Sequence, residues 1–239
     1  MQGVVQDAAL ARAIDAVRRN RMVLLYDAAD REGETDLMLP AKSISARDIA
    51  LMRTEGGGLI CTVIPSLAAE RLGLPFMADI LRRLPDLAHL AEGNLPYDSR
   101  SSFSLWVNHV NTFTGITDRD RALTMRKLDE TVESVLLGDE IDFSREFRSP
   151  GHVAVLRGAK NLLNERRGQT ELSIALAELA NVNPVLCICE MLDSETGYAL
   201  GREDAKRYAL EHDMIFIDGE DVVSGYEAHE GHKGHDGYD

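Results

Sequence analysis

The chain predicts a layered α/β (α+β) fold, because apolar runs of strand length interleave with stretches of helical periodicity along most of its length. Its size agrees. With 239 residues, 44% of them hydrophobic, it can bury a sizeable core in one domain, or in one domain with an insertion. No internal repeat is visible, which sets solenoids aside.

The elements follow in order. Ala8, Leu10, Ala13, Ile14 and Val17 recur at helical spacing and predict an amphipathic opening helix. Met22–Tyr26 reads as a buried strand that ends at Asp27 and enters a polar loop, Asp30–Asp36. Leu37–Leu39 resumes a strand, stopped by Pro40. Ser45 can cap a helix running to Arg53, with Asp48 in its first turn. Gly56–Gly58 break the chain before the strand Leu59–Ile64, and a short helix follows near Leu67–Leu72. Gly73–Arg100, with scattered proline and charge, reads as a partly helical excursion. Phe103, Leu105 and Val107 alternate with polar residues as in a half-exposed strand. Thr117 or Asp118 starts a helix running toward Leu137. Val153–Leu156 reads as a strand, Glu171–Ala180 as a helix, Val185–Leu192 as a strand, Glu203–Glu211 as a helix and Met214–Ile217 as a last strand. The stretch from Ser224 to Asp239, rich in Gly, His and acid, is predicted to be a disordered, solvated tail. Its His229, His232 and His235 are not expected to form a dedicated metal site.

Composition excludes several classes. A formal charge of −14 argues against nucleic acid, which demands a basic surface. It leaves room for a phosphorylated substrate in a locally basic site. The chain contains no run of about 18 apolar residues, so no membrane span is expected. Met1–Ala16 lacks the basic start and apolar block of a signal peptide, which predicts a cytoplasmic protein. Cys61, Cys187 and Cys189 are too few for a disulfide framework. The last two alternate in an apolar run and read as core thiols on one strand face.

The most informative segment is Asp27-Ala28-Ala29-Asp30-Arg31-Glu32-Gly33-Glu34-Thr35-Asp36. Acids this dense between two strands repel one another, and a multivalent cation held by carboxylate oxygens would relieve that repulsion. An EF-hand fails on spacing, because Gly33 at loop position six would put Ala28 at position one. On composition alone a solvated acidic turn is the plainer reading. Arg166-Arg167-Gly168-Gln169-Thr170-Glu171 has its own logic. Thr170 can cap the helix near Glu171, and free amides at that helix start, with Arg166 or Arg167, would attract an anion.

Taken together, these motifs resemble those of the 3,4-dihydroxy-2-butanone 4-phosphate synthase family. The Asp30-Arg31-Glu32-x-Glu34-x-Asp36 loop is followed in order by Gly56–Cys61, Thr114-Gly115-Ile116-Thr117-Asp118-Arg119-Asp120-Arg121 and Pro150-Gly151-His152. Arg166–Glu171 and Ile188-Cys189-Glu190 complete the series. The likeness runs from Val4 to Val223. The Phe113–Asp118 wording and the excursion near Leu74–Leu95 are similar to the archaeal branch.

The resemblance implies a three-layered mixed sheet with flanking helices, in one domain over residues 1–223, with 224–239 as tail and no fused GTP cyclohydrolase II half. It implies conversion of D-ribulose 5-phosphate to L-3,4-dihydroxy-2-butanone 4-phosphate and formate, for riboflavin biosynthesis. The cofactor it implies is Mg²⁺ or Mn²⁺, two ions per site, in a homodimer with interface active sites. By the same resemblance Glu32 is a metal ligand, and Arg31, Glu32 and Asp36 contact substrate, with Asp27 and Glu34 as supporting carboxylates. Arg166, Arg167, Gly168, Gln169 and Thr170 form the phosphate-binding segment. His152 and Glu190 are the acid–base pair, and Thr112 or Thr114 reaches the partner's substrate. One position departs: Gln169 stands where the family has a metal-ligating His. Its amide keeps an oxygen donor that suits Mg²⁺ and loses the imidazole that Mn²⁺ or Zn²⁺ favours.

Overall fold

The computed structural model describes residues 2–233. In chain order they form α1 (Gln2–Arg18), β1 (Val23–Tyr26), β2 (Thr35–Pro40), α2 (Ala46–Glu55), β3 (Cys61–Ile64), α3 (Ser66–Arg71), α4 (Met77–Arg82) and β4 (Phe103–His109). Then come α5 (Asp118–Leu137), α6 (Phe143–Glu146), β5 (Phe147–Arg157), α7 (Gln169–Leu179), β6 (Leu186–Glu190), α8 (Arg202–Glu211), β7 (Ile215–Asp218) and α9 (Gly219–Lys233).

The strands make one mixed sheet in the order β4-β5-β3-β6-β2-β1-β7. Parallel pairs (β1 with β7, β3 with β5) sit among antiparallel ones. Side chains alternate across the strands. Val23, Leu25, Met38 and Ile188 meet Val17 of α1, Leu172 and Leu176 of α7, and Val222 of α9. Leu24, Leu37, Cys187 and Cys189 meet Ile49 and Met52 of α2, Met125 and Leu128 of α5, and Ala205 of α8. Helices therefore cover both faces, giving the three expected layers. Cys187 and Cys189 share one face as free, buried thiols.

Local chemistry explains the boundaries. Ser45 and Asp48 form a reciprocal capping box on α2, and Thr117 caps α5 by accepting the Asp120 N–H. The excursion is partly helical, through α4 and a 3₁₀ turn at Ala88–Ala91.

Two expectations are corrected here. β5 is longer than Val153–Leu156. In its first half only Phe147 and Arg148 pair, and with β4 alone, so Pro150 falls in an unpaired stretch, and the mostly exposed side chains there hide the strand period. The Ser224 segment is not a tail up to Lys233, because α9 continues to that residue. Val222 and Val223 are buried, Tyr226 donates to Glu178 at 2.7 Å, and Gly225 lets the helix approach Leu10. A Cβ on Gly225 would fall 2.2 Å from a Leu10 methyl. Residues 234–239, including His235, lie outside the described residues.

Candidate active site

The acidic loop is the turn of the β1–β2 hairpin, and Asp27 closes it. The Asp27 carboxylate is 4% exposed and accepts the Glu32 N–H at 3.1 Å and the Glu34 N–H at 3.0 Å. Gly33 takes a φ of +69°, a left-handed conformation that favours glycine. This geometry turns Glu32 and Glu34 toward a cavity of about 240 Å³. Asp36 and Glu190 reach the same cavity from β2 and β6, where the antiparallel register sets them directly opposite each other. Like charges opposite each other on neighbouring strands repel.

That crowding decides their protonation. Burial, then Glu190, Glu32 and the other acids, pushes Asp36 well above the usual carboxylate range. Burial, with repulsion from Glu32 and Glu190, raises Glu34 to about 7. Burial also raises Glu190, with Glu32 adding to it, and raises Glu32, with Asp27 adding to it. The Tyr97 hydroxyl lies beside Glu32.

Gln169, at the start of α7, is 5% exposed. Its Nε2 donates to the Leu25 and Glu34 carbonyls, both at 3.0 Å; its Oε1 is buried with no hydrogen-bond partner, and the residue lines the cavity. One oxygen of Asp36 is likewise unpaired. Buried acceptors without donors are rare and costly, so the cavity is built for something that supplies positive charge. Among the described residues no group of three His, Cys, Asp or Glu side chains is drawn together tightly enough to hold an ion by itself. A hard divalent cation that keeps several waters fits this donor set, and Glu32 and Gln169 are the residues that would hold it.

Two arginines form the basic wall. Arg166 pairs with Asp98 and, at 2.7 Å, with Glu171. Arg31 donates to the same Asp98 oxygen at 3.2 Å. Gly168 makes room for both: a Cβ there would lie 2.6 Å from Arg166 Nη1 and 2.9 Å from Arg31 Nη2. Glu171 is fully buried, and its other oxygen accepts the Ala159 N–H at 2.9 Å, so it anchors Arg166 to the scaffold. Burial opposes ionisation of Asp98, but the Arg166 and Arg31 contacts and the Ser99 amide outweigh it and hold its carboxyl below the usual range.

Of the expected residues, Arg31, Glu32, Glu34, Asp36, Arg166, Gln169, Thr170 and Glu190 line the cavity together. Gly168 adjoins it as the residue before α7. Asp27, Arg167, His152, Thr112 and Thr114 do not line it. Asp27 is held within its own loop. Arg167 turns toward α9 and pairs with Glu227 at 2.9 Å. Thr170 does line the cavity but caps nothing, because α7 begins one residue earlier and Gly168 holds the cap position without a side-chain bond.

His152, Thr112 and Thr114 lie apart from the cavity, His152 and Thr114 exposed and Thr112 half-buried. The His152 imidazole meets Asn108, Thr112 donates to the His109 carbonyl, and Thr114 meets Asp120. Phe113 between the threonines is 98% exposed. Leu156, the β5 residue that lines the cavity, is four residues beyond His152, roughly 13 Å along an extended strand.

Sequence reasoning missed Tyr97, Asp98 and a role for Glu171. Tyr97 and Asp98 come from the excursion, where no periodicity marks a side chain's direction. Glu171 did leave a signal, an acid at the start of the apolar helix Leu172–Leu179.

Residues 11–225 match the 3,4-dihydroxy-2-butanone 4-phosphate synthase family. A 3,4-dihydroxy-2-butanone 4-phosphate synthase of Archaeoglobus fulgidus is 56% identical over 219 residues, covering 90% of this chain and 92% of that protein. One from Methanosarcina acetivorans is 48% identical over 221 residues, covering 90% of each. A solved 3,4-dihydroxy-2-butanone 4-phosphate synthase in complex with two magnesium ions superposes with a TM-score of 0.76 at 26% identity, covering 92% of this chain and 97% of the other. Sheet, cavity and sequence agree on one conclusion: the chain belongs to the 3,4-dihydroxy-2-butanone 4-phosphate synthase family of enzymes.

Proposed function

We propose that the chain converts D-ribulose 5-phosphate to L-3,4-dihydroxy-2-butanone 4-phosphate and formate, in riboflavin biosynthesis. The observation that carries this reading is the cavity itself. Carboxyl groups with raised pKa and Gln169, whose amide oxygen is buried and unpaired, line it together with Arg31 of the hairpin and Arg166 just before α7. The phosphate would sit on Arg166, Arg31 and the first amides of α7, an anion seat by charge and by helix geometry. The sugar then lies across the acids.

Glu32 and Gln169 would hold Mg²⁺ or Mn²⁺, which would supply the positive charge that an enediolate needs. Two ions per site are proposed by likeness to the relative solved with two magnesium ions. Asp36 accepts hydrogen bonds from sugar hydroxyls. Glu190, its carboxyl raised by burial, is suited to hold and return a proton in the acid–base steps of enolisation and rearrangement. His152 is the second acid–base group.

The reading includes a homodimer. Thr112, Thr114 and His152 stand apart from the cavity, with Thr114, His152 and Phe113 exposed. A twofold partner would bring this cluster against the other chain's cavity and cover Phe113, each chain completing the other's site. A cytoplasmic location belongs to the same reading. Among the described residues no helix is long and apolar enough to cross a membrane.

Purified protein incubated with ribulose 5-phosphate and Mg²⁺ should release formate in step with substrate loss. Substrate loss without formate would mean another sugar-phosphate reaction, such as isomerisation. The shared site has its own test. Mixing inactive His152→Gln and Glu190→Gln proteins under subunit exchange should restore about a quarter of wild-type activity, since about half the dimers are mixed and each carries one intact site. No recovery despite exchange would mean both residues act within one chain.

A further inference from the structure

The exposed half-site is organised around a residue with no role so far, Asn108. β4 and β5 lose register there: Val107 pairs with Val153 but Asn108 with Arg148, so Ser149–His152 fall outside the ladder. The Asn108 side chain takes the place of the missing partner. Its Oδ1 accepts the His152 backbone N–H at 2.8 Å, which fixes which amide atom is the oxygen, since an N–H only donates. The amide nitrogen then lies 3.1 Å from imidazole Nδ1, and Oδ1 lies 3.3 Å from the same atom.

Two glycines of the sequence motifs make this contact sterically feasible. A Cβ on Gly151 would fall 2.0 Å from the Val107 carbonyl carbon and 2.3 Å from the Asn108 backbone nitrogen. A Cβ on Gly115, whose φ is +87°, would lie 2.1–2.4 Å from the Asn108 amide atoms. The Thr114-Gly115-Ile116 and Pro150-Gly151-His152 motifs therefore close on opposite sides of one side chain. The charged groups nearby are engaged elsewhere. Arg148 donates to the Ser144 carbonyl at 2.7 Å, Glu146 meets His109 at 3.3 Å, and Asp120 accepts from the Thr114 and Gly115 amides. Among the described residues His152 has no ion pair, and Asn108 is its side-chain partner.

We infer that Asn108 is the positioning residue of His152, because its amide can serve the imidazole in both charge states without moving the ring. In the neutral imidazole, Nδ2–H donates to the lone pair on Nδ1, so the ring proton resides on Nε2. When the ring is cationic, Nδ1–H donates to Oδ1 instead, and that bond persists when the cation gives its Nε2 proton to substrate and is left as the neutral Nδ1–H form, whose Nε2 lone pair can take a proton back. Nε2 is thus the nitrogen that exchanges protons with substrate. An aspartate here would favour the cation and the opposite neutral tautomer, with the proton on Nδ1.

The inference rests on His152 being an acid–base group, and the experiment separates the two ideas. Long-range ¹H–¹⁵N spectra of the intact protein report the tautomer directly, with the His152 signals assigned by their loss in His152→Gln. The expected result is Nε2–H in wild type and Nδ1–H in Asn108→Asp. In the pH profile of kcat/KM, Asn108→Asp should move the limb that His152→Gln abolishes upward by about one pH unit. Asn108→Leu, similar in volume, should lower kcat about 10-fold or more with a smaller change in KM, as expected when part of an acid–base contribution is lost. Identical tautomers and an unmoved limb in folded Asn108→Asp would overturn the role of Asn108. Full activity in His152→Gln would instead overturn the reading of His152, and the spectra would still decide the Asn108 contact.

Discussion

Replacing Gln169 by alanine separates two functions of one side chain. Its Nε2 is a structural donor to the Leu25 and Glu34 carbonyls at 3.0 Å, tying α7 to the hairpin. Losing that buried donor should destabilise the metal-free protein by about 1–3 kcal/mol, the cost of leaving buried acceptors short of partners. Its Oε1 is the unpaired acceptor in the cavity. Losing a metal ligand should raise the Mg²⁺ concentration for half-saturation about 10-fold or more, at least about 1.4 kcal/mol. Gln169→His offers an imidazole nitrogen in place of the amide oxygen, and should raise the ratio of Mn²⁺ to Mg²⁺ affinity. Calorimetric titration of each metal into wild type and both variants reads this without relying on turnover, and formate release against metal concentration gives the functional counterpart. An alanine variant that binds Mg²⁺ like wild type, with no change of preference in the histidine variant, would remove Gln169 from the metal site. The loss of stability would remain as its structural role.

Four further outcomes follow from the same geometry. Arg166→Lys keeps the charge but not the fork that spans Asp98 and Glu171, so KM for ribulose 5-phosphate should rise about 10-fold or more while kcat changes less; an unchanged KM would move the phosphate elsewhere. Asp98→Asn should tighten competitive inhibition by inorganic phosphate several-fold, since the carboxylate competes with any anion for Arg31 and Arg166; an unchanged inhibition constant would mean that Asp98 only braces the arginines. Burial raises Glu34 to about 7, so the folded metal-free protein holds that proton more tightly than the unfolded chain does; the stability it contributes is present below about pH 4.5 and is lost as pH rises through about 7, so Tm should fall over that window and Mg²⁺ should restore part of it at pH 8. Burial raises Asp129 to about 6 against an opposing hydrogen bond from Asn183, and Asp129→Asn should flatten the smaller decline between about pH 4 and 6, as thermal melts across that range would show.

What was legible in the sequence follows from where each residue's information lies. α2 and α5 announced themselves because their caps are local, Ser45 with Asp48 and Thr117 with Asp120, and a cap is read within four residues. The acidic hairpin was legible for the same reason, since its carboxylates lie on ten consecutive residues. The pairing of Asp36 with Glu190 was not, because it depends on β2 and β6, 150 residues apart in the chain, taking one particular register. Asp98 was hidden because its importance comes wholly from two arginines that approach it from other elements. α9 was misread because its polar residues dominate the composition, while the buried Val222 and Val223 that dock it stand before the segment taken as tail.

The division of the site between two regions of one chain has a structural cause. At its Leu156 end β5 lies between β3 and β4, so that end is fixed in the sheet and roofed by α7, where a cavity can form. At its His152 end β5 has left β3, the ladder to β4 is interrupted, and His152 is exposed. The same interruption that frees His152 from the ladder exposes it, and Asn108 then becomes the group that fixes its direction. In the proposed homodimer this placement offers the imidazole to the substrate in the partner's cavity. The exposed Phe113 beside it is what a covering partner would bury. Loss of the partner should therefore cost activity through His152 before it costs the fold, because both hydrophobic layers close within the single chain.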